Sequence, residues 1–446
     1  MQVAIIFKYI KSVNYLKILL YGINFSPELT GIGKYTGEMA AWLAAQGHSV
    51  RVVTAPPYYP NWAIGEGYSN KTWRRERWQG VDVWRCPLWV PARPGGAKRL
   101  LHLASFALGS LPVMLRQIVW RPDVVWVVEP ALFCAPAALA VARLSGAKAW
   151  LHVQDFEVDA AFDLGLLRGK FLRGVVAGAE RWLMRRFDVV STISQRMHQR
   201  LLDKGVAPAQ AVLSPNWVDV LAITPGGDGC SPDAGMKSNA TEAIRVDNSF
   251  RVQLGITPDA VVALYSGNMG GKQGLELLAD VAKLCLAQAE RVQSAITFVF
   301  CGNGAGRVDL MQRCASLSNV HFLELQPIER LNELLAMADV HLLPQRADAA
   351  DLVMPSKLTG MLASGRPVLA TAHPGTELAH VVQGCGAVVP PEDPMAMTQA
   401  MMALAADSKL RTQLGAAGRV YALAHMDREA VLRKFESDLT TLTSRH

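Results

Sequence analysis

Short continuous apolar runs recur along the chain, separated by segments whose apolar residues fall three and four positions apart. Lys17–Asn24 (KILLYGIN) reads as a buried strand, followed by a glycine loop and a helix from about Lys34 to Gln46. His48–Thr54, Val81–Arg85, Val124–Val128, Ala149–Val153 and Val189–Ile193 supply further strands, with helices between most of them. The pattern restarts after residue 250 with Val261–Ser266, Ile296–Cys301, His321–Leu323, Val340–Leu343, Pro367–Thr371 and Ala387–Val389. Strands without polar alternation are buried on both faces, as in parallel sheets built from βαβ units. Between the halves, the run from Gly226 to Glu242 lacks periodicity and bulky apolar residues, so it reads as a linker or insertion. The predicted fold class is α/β, with two doubly wound domains facing a cleft. The expected boundaries are an N-terminal extension (1–16), a first domain (17–222), a linker (223–250), a second domain (251–424) and a C-terminal helix (425–446) packing back on the first domain.

Composition narrows the reading. The 446 residues are 50% hydrophobic and 19% charged, enough for two cores and unlike a disordered chain. The net charge of +7 is unevenly spread: residues 1–220 hold 26 basic and 15 acidic side chains, the remainder 19 and 23. That split argues against a chain coating nucleic acid along its length, and fits one face turned toward phosphates or an anionic surface. Seven scattered cysteines lack zinc-site spacing and read as free thiols of a reducing compartment. The first 16 residues lack a cleavage site and read as an extension or a mis-set start rather than a signal peptide. The longest apolar stretch, Leu100–Val119, is interrupted by His102, Pro112 and Arg116, so no membrane-spanning helix is expected.

Three glycine loops sit between predicted strands and helices. The first contains Gly31, Gly33 and Gly37. Its G-x-G-x-x-x-G spacing is one residue longer than the dinucleotide fingerprint, and no acid follows about 20 residues on. It binds a ligand through backbone N–H groups, or is a plain tight turn. The second, Gly267-Asn268-Met-Gly270-Gly271-Lys272-Gln-Gly274, suits a diphosphate, with Lys272 as a point charge. Cys301-Gly302-Asn-Gly304-Ala-Gly306-Arg307 repeats the arrangement one βα unit later and is not a Walker A loop. Farther on, Pro355-Ser356-Lys357 marks a helix start, with Ser356 as the expected N-cap. Lys357 there is either a second anion site or a solvated lysine.

Together with Ser214-Pro-Asn216-Trp-Val-Asp219, Leu151-His152-Val-Gln154-Asp155-Phe-Glu157-Val-Asp159 and Asp351-Leu-Val-Met-Pro-Ser-Lys-Leu-Thr-Gly, these motifs resemble the GT-B-fold retaining glycosyltransferases of family 4. Within that family they resemble the colanic-acid, exopolysaccharide branch of fucosyltransferase type. The resemblance runs from about Lys17 to Leu442. It implies two Rossmann-like domains and transfer of a sugar from a nucleoside diphosphate to a hydroxyl, with the anomeric configuration retained. The C-terminal domain would grip the nucleotide and the N-terminal domain the acceptor. Lys272 matches the lysine that neutralises the departing diphosphate, and Gly31 and Gly33 match the loop facing donor and acceptor. The family works without a bound metal or other cofactor, so Glu157 and Asp159 read as surface acids. Two departures stand out. Asn268 replaces the family's arginine, leaving Arg346 or Lys357 to supply that charge. The paired glutamates eight residues apart are absent, with Asp351 one residue off register for the first.

The expected donor-binding set is therefore Gly31, Gly33, Gly267, Asn268, Gly270, Lys272, Gly302, Gly304, Arg346, Asp351, Ser356 and Lys357. Lys272, Asp155 and His152 are the catalytic candidates. The alternative for the last two is a histidine packed within its strand and an aspartate capping the next helix. Finally, Leu88–Arg116 is basic at both ends and apolar between. It is either a core helix or a membrane-surface patch with Arg93, Lys98, Arg99 and Arg116 on headgroups and Trp89, Phe106 and Leu108 at the acyl boundary. The expected partners are a nucleoside-diphosphate sugar (GDP-fucose), a polyprenyl-diphosphate-linked acceptor and an anionic membrane surface, with no nucleic acid. The expected place is the cytoplasmic face of the plasma membrane, peripherally bound. The competing functions are a same-fold nucleotide-sugar epimerase and a non-catalytic nucleotide-sugar-binding subunit.

Overall fold

The computed structural model describes residues 15–444 except 29–30, 93–94, 129–130, 157, 160–168, 226–248, 271–272, 289–294 and 348–353. The chain forms two compact units. The first runs to Ile193 and adds Met197–Ser214 and Leu432–His446; the second holds Ser194–Arg196 and Pro215–Val431. The junction thus falls at Ser214/Pro215, inside the Ser-Pro-Asn-Trp motif and ahead of the expected boundary at 222. Most of the extension expected at 1–16 and nearly all of the linker expected at 223–250 lie outside the described residues.

The first unit contains β1 (Lys17–Tyr21), α1 (Gly31–Ala45), β2 (Ser49–Thr54), β3 (Arg74–Trp78), β4 (Val81–Arg85), α2 (Gly96–Trp120), β5 (Val124–Val128), α3 (Ala131–Ser145), β6 (Lys148–Val153), α4 (Lys170–Met184), β7 (Val189–Thr192), α5 (Gln195–Asp203, whose first two residues group with the second unit) and β8 (Ala211–Leu213). Its sheet order is β3-β4-β2-β1-β5-β6-β7-β8. Every pairing is parallel except β3 with β4. The central strand VVWVV is buried at every position, which is why the apolar runs are unbroken. β3 (RRERW) is an addition to the sequence reading. It joins β4 through Gln79 and Gly80, both at positive φ (43° and 83°), the backbone of a two-residue hairpin turn. Its charged side chains suit an edge strand.

The second unit contains β9 (Val261–Ser266), α6 (Glu276–Ala287), β10 (Ile296–Cys301), α7 (Arg307–Arg313), β11 (Val320–Leu323), β12 (Val340–Leu343), α8 (Lys357–Ala363), β13 (Val368–Thr371), β14 (Gly386–Val389), α9 (Pro394–Ala406) and α10 (Ser408–His425). The sheet is wholly parallel, ordered β11-β10-β9-β12-β13-β14. α9 starts where Asp393 accepts from Ala396 N–H (2.9 Å) with Pro394 next, and α10 where Asp407 accepts from Leu410 N–H (2.9 Å). The Asn216–Asp219 segment runs beside the chain's return, with Val218 N–H donating to Met426 O (2.8 Å) and Arg428 pairing with Asp219 (2.9 Å).

The last helix, α11 (Arg428–Ser444), passes into the first unit from Leu432 onward. Phe435 meets the edges of Trp150 and Trp126 at 5.1 and 6.2 Å. His48 Nδ1 accepts from Leu16 N–H, so its Nε2–H donates to Glu436 at 2.9 Å.

α2 is amphipathic in an unusual sense. Its inner face (Leu103, Phe106, Ser110, Val113, Met114, Gln117) is buried, and Ser110 bonds Tyr21 OH at 2.7 Å. Its outer face is also apolar: Leu101, Leu108, Leu111, Leu115 and Val119 are exposed, Leu108 by 71% and Val119 by 87%. By length and composition alone, Lys98–Trp120 is long and apolar enough to cross a membrane, with a third of that stretch buried within the unit. The helix therefore serves the core and also exposes an apolar stripe. Phe106, expected at the acyl boundary, is instead fully buried against Tyr21, with ring centroids 5.7 Å apart.

Candidate active site

In an open parallel sheet, ligands bind beyond the carboxyl ends of the strands where the strand order reverses. In the second unit this switch lies between β9 and β12. The loop leaving β9 begins at Gly267, whose φ of +125° is open to glycine and closed to other residues. Beneath it lies Lys357, the first residue of α8. A Cβ on Gly267 would sit 3.6 Å from Lys357 Nζ. That ammonium donates to Tyr265 OH (2.9 Å) and lies 4.2 Å from the centre of the ring. Tyr265 OH in turn donates to Asn268 O at 2.6 Å. Desolvation lowers the Lys357 amine to about 7 and raises the Tyr265 phenol. The lysine is thus only partly protonated near neutral pH, beneath the glycine loop. An arriving diphosphate would complete its charge pairing.

Two amides join this cluster that sequence reasoning passed over. The side-chain oxygens of Gln273 and Gln345 are buried and have no hydrogen-bond partner among the described residues. Buried acceptors of this kind are ordinarily satisfied, which makes these two exceptions beside the loop. Gln345 follows β12, where its N–H donates to Thr371 Oγ1 (2.7 Å); Gln273 ends the β9 loop. Arg346 packs beside Gly274 and pairs with Glu276 at 3.2 Å, both half-exposed, so it borders the same loop.

The other donor-loop glycines do different work. Gly302 (φ +147°) lies against the Gly267 carbonyl, and a Cβ on Gly304 would sit 2.7 Å from both Met269 O and Asn268 Oδ1. Met269 N–H donates to Asn303 O and Gly306 N–H to Met269 O, each 2.8 Å. Gly302 and Gly304 therefore brace the β9 loop. Ser356 occupies the N-cap position but its backbone is already helical (φ −60°, ψ −26°), and its side chain makes no capping bond, contrary to expectation. Lys272 and Asp351 lie outside the described residues, as do Glu157 and Arg93.

In the first unit the glycine loop is more tightly built than its sequence suggested. α1 begins at Gly31 (φ +63°), so all three glycines lie within the helix. A Cβ on Gly33 would fall 2.7 Å from Glu28 Oε2, so this glycine makes room for a buried carboxylate. Glu28 accepts from Asn24 Nδ2 (2.9 Å) and from the N–H groups of Tyr58 (3.1 Å) and Tyr59 (3.0 Å). Burial raises its carboxyl above the ordinary range. Arg85, also buried, donates to Ala55 O (3.0 Å) and Ser26 O (2.5 Å) and pairs with Glu76 (2.8 Å), tying the loop to the β3–β4 hairpin. Glu28 and Arg85 were missed because neither carries a motif; only the place of Arg85 at the end of β4 hints at a role.

At the end of β6, His152 is buried. Its Nδ1 lies 2.8 Å from Ser191 Oγ and its Nε2 3.0 Å from the Gln154 amide, while the ring stacks on Trp126 at 5.3 Å. Burial lowers its pKa to about 3, so it stays neutral and packed at physiological pH. The ring is thus packed at the end of its strand. Asp155 stands half-buried beyond it at the sheet edge. Asp159 pairs with Arg200 and Lys204, both at 3.0 Å, which makes it a structural acid. Among the described residues no cluster of His, Cys, Asp and Glu could hold a metal ion.

Comparison with known proteins decides the family. Residues 30–217 match the glycosyl transferase 4-like domain, and residues 260–407 match glycosyl transferases group 1. Over 435 residues, 95% of this chain and all of the relative, the sequence is 43% identical to the glycosyl transferase WcaI, named for colanic acid biosynthesis, of Escherichia coli strain K12. The chain is a family 4 glycosyltransferase. Its GT-B fold is shared with sucrose-phosphate synthase of Thermosynechococcus elongatus (TM-score 0.70, 17% identity, 96% of this chain and 99% of that one). It is shared as well with Anabaena HepE, solved in complex with UDP-glucose (TM-score 0.65, 14% identity, 95% of this chain and all of that one). In the glycosyltransferase, the group 1 match covers the Gly267–Lys357 cluster, and the 4-like match begins two residues after Glu28 and covers Gly33 and Arg85.

Proposed function

We propose that this glycosyltransferase moves a deoxyhexosyl or hexosyl group, with GDP-fucose as the leading donor, onto a polyprenyl-diphosphate-linked oligosaccharide. The anomeric configuration would be retained and no metal required. The observation that carries the donor half is the buried Lys357 Nζ beneath Gly267 at the β9/β12 switch point, lowered to about 7 by desolvation. A diphosphate there gains a charge-assisted hydrogen bond from the lysine. Lys272, in the same loop, carries the stabilisation of the leaving group by resemblance. The name of the WcaI relative supports a role in exopolysaccharide assembly, and the UDP-glucose bound by HepE supports a nucleotide sugar as donor.

The test is a hydrolysis and transfer assay with a panel of GDP- and UDP-sugars, reading the anomer of the product. Transfer is expected with one nucleotide sugar, with retention, and with a loss of about a hundredfold or more in kcat for Lys272→Ala. Full-rate transfer by that variant would remove Lys272 from the mechanism. Inversion would exclude a retaining enzyme.

The same reading places the enzyme on the cytoplasmic surface of the membrane. Lys98, Arg99 and Arg116 are exposed on α2 alongside the Leu101–Val119 stripe, a combination suited to anionic headgroups and acyl chains. Each basic residue near such a surface is worth about 1 kcal/mol, so replacing all three with glutamine should weaken binding to phosphatidylglycerol vesicles by about a hundredfold. Nucleotide affinity should not change. Undiminished vesicle binding would assign the positive face to another task.

A further inference from the structure

We propose that Trp62, with Tyr58 and His102, forms a stacking shelf for a pyranose ring of the acceptor, in the first unit beside the start of α2. The inference rests on reading that unit as the acceptor half and adds the residues that would hold the sugar.

The three rings form a closed cluster. Tyr58 and Trp62 are 5.6 Å apart at 63°, Tyr58 and His102 4.8 Å apart at 69°, and Trp62 and His102 5.2 Å apart at 56°. None of these contacts lies flat on the indole, and Trp62 remains part-exposed while Tyr58 and His102 are buried. An aromatic face carries negative charge density, which suits the apolar C–H face of a pyranose. Trp62 also has a φ of +52°, a conformation a bulky residue rarely adopts unless its surroundings impose it. They do: Ala63 N–H donates to Tyr58 O (3.3 Å), and Gly65 N–H to Pro57 O (2.8 Å). Tyr58 and Tyr59 are in turn held by Glu28, whose carboxylate also abuts Gly33. The shelf is thus fixed to the glycine loop at the carboxyl edge of the sheet, where ligands of such folds collect.

His102 sets the shelf's place on the substrate. Its Nδ1 is anchored 2.6 Å from Trp89 O, and it follows Lys98 by one helical turn. Positions i and i+4 share a helix face, with Cβ atoms about 5–6 Å apart. On α2, Lys98 and Arg99 precede His102 within one turn, and the exposed Leu101–Val119 stripe belongs to the same helix. The ring cluster thus stands beside exposed bases, which suits a sugar carried next to an anionic group.

The chain has 11 tryptophans, so bulk fluorescence would not isolate one indole. The test is saturation-transfer NMR on the full chain with methyl glucoside, methyl galactoside and methyl fucoside at tens of millimolar, with excess UDP and GDP present. We compare wild type, Trp62→Gly and Trp62→Phe. Glycine adopts a φ of +52° without strain, so that variant keeps the backbone; phenylalanine keeps a flat ring. At least one glycoside should receive saturation on the C–H protons of one face. That signal should fall at least fivefold in Trp62→Gly and stay within about twofold in Trp62→Phe. Equal signals in wild type and Trp62→Gly, or none in wild type, would overturn the shelf. Trp62-dependent saturation in a chain that transfers no sugar would keep the shelf and sink the transferase reading. Transfer with an unchanged acceptor KM in Trp62→Gly would do the reverse.

Discussion

Replacing Lys357 with methionine is expected to weaken nucleotide-sugar binding by about tenfold to a hundredfold without destabilising the second unit. A hydrogen bond to a charged group contributes about 1.5–3 kcal/mol, which sets that range. The free protein should tolerate the change, because methionine nearly matches the lysine stem in volume and removes an amine that is desolvated over Tyr265. The pH dependence distinguishes this lysine from any surface base. Burial lowers its pKa to about 7, and a diphosphate above it would raise that value. Binding then takes up a proton. Affinity should be level below about pH 7 and fall by up to tenfold per pH unit above it, until the bound-state pKa is passed. Stability runs the other way. The unfolded chain holds the proton up to about 10.5 and the folded chain only up to about 7, so between those values the unfolded state binds more protons and stability rises with pH. Calorimetric titration of the donor in buffers of different ionisation heat reads the proton uptake directly. An uptake equal in wild type and Lys357→Met would show that another group titrates.

How far the sequence revealed this site depends on what each residue does. Parallel strands such as β5 and β9 were plain because burial on both faces leaves an unbroken apolar run. β3 was hidden because an edge strand with Arg74, Arg75 and Arg77 has no apolar period; only Gln79-Gly80 before Val81 hinted at a hairpin. The glycine loops were visible as glycines, yet spacing could not separate a glycine that admits a ligand from one that admits another loop. Gly267 and Gly302 look alike in sequence, and only their neighbours, Lys357 and the Gly267 carbonyl, tell them apart. The surroundings of His152 were hidden for a related reason. A histidine at a strand end suggests chemistry, but Trp126, Ser191 and Gln154, distant or unremarkable in sequence, use its ring and both nitrogens. Tyr265, Glu28 and Arg85 act by supporting loops, a role that leaves no motif.

Gly302→Ala should strongly destabilise the second unit, although it adds only one methyl group. Two penalties combine. A residue with a Cβ at φ +147° sits in a region reserved for glycine, costing of order 1–3 kcal/mol. The added carbon would also collide with the Gly267 carbonyl, and overpacking of this kind costs about 1–3 kcal/mol more. Relief requires Gly267 to move, which shifts the hydrogen bond from Gly267 N–H to Cys301 O (2.9 Å) and the roof over Lys357. A loss of about 2–6 kcal/mol corresponds to a melting point lower by roughly 4–24 °C for a domain of this size. Differential scanning calorimetry should place that loss in the transition of the second unit, with nucleotide-sugar affinity reduced at temperatures where the variant is still folded. Gly267→Ala makes the informative contrast. Its Cβ would meet only the Lys357 side-chain end at 3.6 Å, an ordinary contact, so it carries the backbone penalty without the collision. It should melt above Gly302→Ala, and equal melting points would mean that the brace between the two loops is softer than their packing indicates.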